Sequence, residues 1–211
     1  MYLPPAFRED RLDVQHQLIR NHPLGLLVTV GADGPIAGPL PFVVDAAAGK
    51  LGTLRGHLAR GNMQWKESNL DIYALVIFQG PDVYVTPSWY ETKKETGKVV
   101  PTWNYAMVQV RGKIQVMDDA GWLAAQIAAL TDQMEGRRPK PWAVSDAPPD
   151  YIQSQIKGIV GLEIEIAEIE GKWKVSQNRP VADRQGVVKG LAEGEQDHAA
   201  MIDLVKTYGG L

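Results

Sequence analysis

A chain of 211 residues, 45% hydrophobic and 22% charged, is long enough for one domain with a full core, or one domain with a small appendage. It has no cysteine, which excludes a disulfide framework, a thiolate metal site and a cysteine nucleophile. The formal net charge of −3 counts against nucleic-acid binding, and no apolar run approaches the roughly 20 residues that span a bilayer.

Met1 is followed by Tyr2-Leu3-Pro4-Pro5, with neither a basic n-region nor a long apolar h-region, so no secretory leader is expected. With zero cysteine fitting a reducing compartment, the expected location is cytoplasmic. Asp10 to Asn21 places Leu12, His16 and Ile19 at helical spacing, and His22-Pro23 ends that helix because a residue before proline avoids the α region. Leu24 to Val30 reads as a strand, Ala32-Asp33-Gly34-Pro35 as a turn, and Ile36 to Val44 as a second strand. Pro39 and Pro41 cannot donate to a ladder, so this second strand is expected at an edge or a bulge. Leu51 to Gly56 is a third strand, leading through a glycine-bearing segment into a short helix ending near Asn69.

Ile72 to Phe78 and Val83 to Thr86 are expected as two strands separated by a tight turn at Gln79-Gly80-Pro81. Glu91 to Val99, with three lysines around Gly97, reads as a charged loop. Tyr105 to Met117 alternates with period two and reads as one long strand. Asp118 or Asp119 then caps a helix with Leu123, Ile127, Leu130 and Met134 on one face, closed by Gly136. A proline-rich connection and a short helix, Asp150 to Lys157, precede the strands Gly161 to Ile169 and Lys172 to Gln177. Val181 to Gly190 and Glu195 to Tyr208 read as two short helices. Antiparallel strands with helices at the ends give an α+β class built on a small barrel, with a domain over 1–180 and a helical tail over 181–211, packed on the barrel or on a partner subunit.

Three stretches carry candidate chemistry. Leu54 to Trp65 combines Arg55, His57, Arg60, two glycines and a helix start. A backbone N–H array with an arginine fork suits a phosphomonoester, although surface arginines at a helix start are more often simply solvated. Trp89, Tyr90, Trp103 and Tyr105, interleaved with Ser88, Thr102 and Asn104, can wall a pocket for a flat ligand or merely seal one end of a barrel. In Lys172 to Pro180, alternation sets Lys172, Lys174 and Ser176 on one strand face and Trp173 and Val175 on the other. That polar face can hydrogen-bond a heterocycle, or it can be a solvated edge whose lysines deter aggregation. The four histidines are scattered and offer no metal-binding pair. The tail has the outline of a helix-turn-helix, but from Asp183 to Lys206 five acidic residues stand against three basic ones, the wrong sign for a DNA groove.

The segments MYLPPAF (1–7), GHLARGNMQW (56–65), VIFQGPDVYVTPSWY (76–90), VPTWNY (100–105), GIVGLEIEI (158–166) and KVSQNR (174–179) follow one another as in the PaiB-type proteins. The chain resembles this family, the FMN-binding negative transcriptional regulators, across nearly its whole length. The resemblance implies an FMN-binding, mainly antiparallel split β-barrel with flanking helices and a helical C-terminal tail. It further implies a homodimer with flavin sites at the subunit interface. By that resemblance the phosphate lies near Pro39, Leu40, His57, Leu58, Ala59 and Arg60, with Asn62 and Gln64 in the same motif. The C-terminal hairpin would bring Lys174, Ser176 and Gln177 from the neighbouring subunit. Trp89, Trp103 and Tyr105, with Ser88 and Asn104, would border the isoalloxazine or complete the dimer. Three histidines frequent in the family are replaced here, around Gly38-Pro39, at Asp82 and at Gln109. Three functions follow as expectations: an FMN-binding regulator, an FMN-dependent oxidoreductase acting on a small molecule, or a module for another planar phosphorylated ligand. DNA enters through the family label and is disfavoured by the charge; no membrane partner is expected.

Overall fold

A computed structural model describes residues 1–194 and 196–211; Glu195, where the second tail helix is expected to begin, lies outside the described residues. The strands are β1 (Arg8–Glu9), β2 (Leu24–Gly31), β3 (Gly34–Asp45), β4 (Thr53–Ala59), β5 (Ala74–Val85), β6 (Thr102–Gly112), β7 (Ile114–Met117), β8 (Ile159–Glu165) and β9 (Glu168–Lys174). They form one sheet in the order β1-β9-β6-β5-β2-β3-β4-β8-β7. The helices are α1 (Leu12–Asn21), α2 (Gln64–Glu67), α3 (Thr92–Thr96), α4 (Ala120–Glu135), α5 (Pro149–Lys157), α6 (Val181–Ala192) and α7 (Ala199–Gly209). The expected α+β class, with an antiparallel sheet, flanking helices and a helical tail, is what the chain adopts. It divides into two compact units: residues 11–78 with 108–169, and residues 1–10 with 79–107 and 170–211. β5 and β6 run through both.

In the first unit, β2 and β3 form a hairpin closed at Gly31 and Gly34 around Ala32-Asp33, with Gly34 at φ 120°. β3 pairs with β2 over its first part and with β4 only from Phe42 to Asp45. Pro39 and Pro41 therefore fall where the strand has no β4 neighbour, which is the edge position their missing N–H requires. Leu27, Phe42, Leu54, Val76, Phe78, Leu162 and Ile164 are buried, with Phe42 and Phe78 edge to face at 5.8 Å.

Four local expectations are corrected. The turn at Gln79-Gly80-Pro81 is absent, and β5 continues through it. Pairing with β2 extends only over Leu75 to Ile77, so Pro81 interrupts no bond to that strand, and Gln79 Nε2 donates to Asp82 Oδ2 at 3.0 Å. The long strand from Tyr105 is instead two, broken at Lys113. At Gly112 an added Cβ would sit 2.2 Å from the Glu165 carbonyl oxygen, so the backbones meet there and β7 goes on to pair with β8. The charged loop contains the helical turn α3, ended by Gly97 at φ 66°. In α4, capped by Asp119 as expected, Leu123 and Gln126 are buried while Met134 is exposed, so the covered face is rotated from the apolar stripe.

In the second unit, Val83, Val85, Tyr90 and Val175 share a core with Val187 and Leu191 of α6 and Met201 and Val205 of α7. Trp173 stacks on Tyr208 at 6.2 Å. Asp183, fully buried in the first turn of α6, accepts from the Thr92 backbone N–H and from its hydroxyl, both at 2.9 Å, and so fixes the start of α3. The tail helices thus spend their apolar faces on a core.

Candidate functional site

The residues expected around a phosphate fall in the unit of 11–78 and 108–169, and their side chains are already engaged. On β4, Arg55, His57 and Ala59 alternate with buried Leu54, Gly56 and Leu58. His57 Nδ1 lies 2.6 Å from Gln126 Oε1 of α4, within hydrogen-bond distance. Arg60 forks onto Asp118, with Nη1 to Oδ2 at 3.0 Å and Nη2 to Oδ1 at 2.5 Å, and also donates to the Lys157 and Ile159 carbonyls. That hydrogen bond is the chief reason the Arg60 pKa is raised and the Asp118 pKa lowered. Gln64 is buried, its amide N–H₂ reaching Thr29 Oγ1 at 3.1 Å and the Leu27 and Ile36 carbonyls at 3.3 Å, so it ties α2 to β2 and β3. Asn62 Oδ1 accepts from the Gln64 N–H. Leu40 and Leu58 are core residues, and Pro39 and Ala59 are exposed.

The other expected residues fall in the unit of 1–10, 79–107 and 170–211, and there a cavity of about 160 Å³ opens. Its polar lining is Thr102, Asn104, Lys174, Ser176, Asn178 and Arg179, and Tyr90, Val100 and Pro101 complete it. Lys174 Nζ donates to Thr102 Oγ1 and to the Trp103 carbonyl, both at 2.5 Å. Asn104 and Ser176, both buried, exchange hydrogen bonds: Asn104 Nδ2 to Ser176 Oγ at 3.0 Å, and Ser176 Oγ to Asn104 Oδ1 at 3.1 Å. Ser176 has φ 68°, the one non-glycine residue with positive φ among the described residues. The Arg179 guanidinium lies 4.3 Å from the centre of the Tyr90 ring. Among the described residues no carboxylate pairs with Lys174 or Arg179. Desolvation, followed by repulsion from Lys172 and Arg179, pulls the Lys174 pKa down.

The remaining expected residues are dispersed within this unit. Gln177 folds back, Nε2 donating to the Trp173 carbonyl at 2.5 Å and Oε1 accepting from the Val175 N–H, which makes it a turn clamp. Ser88 Oγ accepts from Lys93. Trp89 packs against α6, where added Cβ atoms at Gly186 and Gly190 would run into it. Trp103, 54% exposed, meets Tyr84 edge to face at 5.9 Å, and Tyr105 lies 5.4 Å beneath Lys172 Nζ. Asn104, Lys174 and Ser176 therefore converge, while the three-ring wall does not form. Sequence reasoning missed Tyr90, Thr102 and Arg179 as partners of that cluster. Arg179 entered only as the last residue of the KVSQNR motif, with no role of its own, and a serine in the left-handed region has no sequence signature.

Comparison with known proteins places the chain. The family model described as "Putative FMN-binding domain" matches residues 1–168. The protein AN0679 of Emericella nidulans is 40% identical over 227 residues, covering 90% of each chain. Protease synthase and sporulation protein PAI 2 of Bacillus subtilis is 31% identical over 199 residues, covering 94% of this chain and 93% of that one. The flavocytochrome Anf3 of Azotobacter vinelandii superposes with a TM-score of 0.57 at 13% identity, over 79% of this chain and 69% of that one. The shared fold is the split barrel found among flavin-binding proteins.

Proposed function

Because the chain belongs to the PaiB-type family of FMN-binding split-barrel proteins, we propose that it binds FMN as a homodimer. One observation carries the dimer. The outward face of β2 presents Leu24, Leu26, Val28 and Val30. Opposite them on β3 stand Pro41, Pro39, Ala37 and Pro35, and on β5 Ile77 and Leu75 face Leu26 and Val28. Leu24 is 64% exposed and Leu26 41%. An antiparallel sheet with one face in water ordinarily alternates apolar-in with polar-out, and these positions carry no charge. A second copy of the same face is a self-complementary cover, as a two-fold interface requires.

The residues present fit a flavin in part. Trp103 and Tyr84 leave aromatic surface uncovered against which a flat ring can stack. Arg60 would reach a phosphate only by releasing Asp118, and its backbone N–H is already given to the Gly158 carbonyl at 2.8 Å. When bound, FMN supplies electron transfer; the chain's part is to orient it and exclude water. Direct DNA reading is not part of the proposal, since the net charge is negative and the tail helices bury Val187, Leu191, Met201 and Val205.

Light scattering on wild type and on Leu26→Lys, with FMN titrated by quenching of flavin fluorescence, tests both halves. A wild-type dimer, a folded monomeric variant and saturable FMN binding are expected. A wild-type monomer refutes the dimer, and an absence of FMN binding refutes the cofactor.

A further inference from the structure

The cavity beside the C-terminal strand has a composition that the flavin reading does not require. Two cations line it without a carboxylate, among the described residues, to neutralise either, and burial is already working against the charge on one of them. The hydroxyl of Tyr90 is buried and has no hydrogen-bond partner, although the residue itself is only 1% exposed. Thr102 and the Asn104–Ser176 pair add neutral polar groups, and Ser176 holds its place in a left-handed backbone. Backbone strain of that kind persists only where the surroundings enforce it. The volume, about 160 Å³, suits a group of phosphate or carboxylate size and is too small for a tricyclic ring.

We propose that this cavity, lined by Tyr90, Thr102, Asn104, Lys174, Ser176 and Arg179, is an oxyanion-binding site. Lys174 and Arg179 supply the charge, and Thr102, whose Oγ1 accepts from Lys174, supplies a hydroxyl. Two sources share this chemistry: the phosphate of a mononucleotide cofactor, or a free small oxyanion. For the first source the proposal rests on the flavin reading; for the second it does not.

The test is calorimetric titration of the full-length protein with inorganic phosphate, on wild type, Lys174→Met and Arg179→Gln. Circular dichroism checks that each variant folds. Wild type is expected to bind one phosphate per protomer. Each variant should bind it about tenfold to a hundredfold more weakly, the usual consequence of removing one charge-assisted contact. Arg179→Lys, which keeps the charge, should recover part of the loss. Parallel titrations with FMN and with riboflavin separate the sources. If the anion is the cofactor's phosphate, both variants weaken FMN but not riboflavin, and phosphate competes with FMN. If it is a separate ligand, FMN binding is unchanged in the variants and phosphate binds the FMN-loaded protein. Either pattern supports the site, and phosphate binding in a protein that takes no flavin supports it while refuting the cofactor. No phosphate binding to wild type, or equal binding by folded variants, overturns it.

Discussion

Gly186→Ala is the substitution for which local and tertiary rules make opposite forecasts. Gly186 lies in the interior of α6, where replacing glycine by alanine ordinarily stabilises a helix by about 1 kcal/mol. Here the added Cβ would sit 1.9 Å from the Trp89 carbonyl oxygen and 3.1 Å from its carbon. Backbone cannot swing aside as a side-chain tip can, and a tolerable contact of 3.0 Å requires α6 or the Trp89 segment to move by about 1.1 Å. Overpacking of this kind typically costs 1–3 kcal/mol, and an obstacle made of backbone puts it at about 3. The expected net is a loss of about 2 kcal/mol, or roughly 4–8 °C in Tm for a chain of this size. The displaced segment leads directly into Tyr90, which lines the cavity, so phosphate binding should weaken along with stability. Urea unfolding followed by circular dichroism measures the first effect and titration calorimetry the second. A variant as stable as wild type, or more stable, would refute the close approach of α6 to Trp89 and the reasoning built on it.

Two further outcomes are expected. Asp183→Ala leaves the Thr92 N–H and hydroxyl without their shared acceptor in a buried place, and should cost about 2–3 kcal/mol in urea unfolding; a loss under about half a kcal/mol would mean water replaces the carboxylate. The Asp118 pKa is lowered chiefly by its hydrogen bond to Arg60, so its contribution to stability is complete above the ordinary carboxylate value of 3.8 and is lost as the pH falls through the lower folded value. Between those values wild type should lose stability with acid more steeply than Asp118→Asn, and identical slopes would show that the pair does not hold in solution.

Which parts were legible follows from the range of the forces involved. Binary alternation and turn chemistry act within a few residues, and they located β2, β3, β4, the capped start of α4 and the antiparallel α+β character. The failures each involve a partner distant in sequence. Pro81 signals a turn locally, yet β5 runs on because no β2 pairing remains for it to break. Lys113 ends one strand and begins another because Gly112 meets the Glu165 backbone. Arg60 reads as a free fork for an anion until Asp118, 58 residues away, occupies it. Trp89 reads as a ligand wall until the glycine face of α6 takes it.

The sequence by itself determined the family, the places of β2, β3 and β4 and the capped start of α4, since motif order and short-range patterning are properties of the linear chain. Only the tertiary structure decided which polar side chains are left over for chemistry. That depends on whether hydrogen-bond partners brought in from remote segments have already satisfied them, and for Lys174, Arg179 and the Tyr90 hydroxyl they have left the charges and the phenol unanswered.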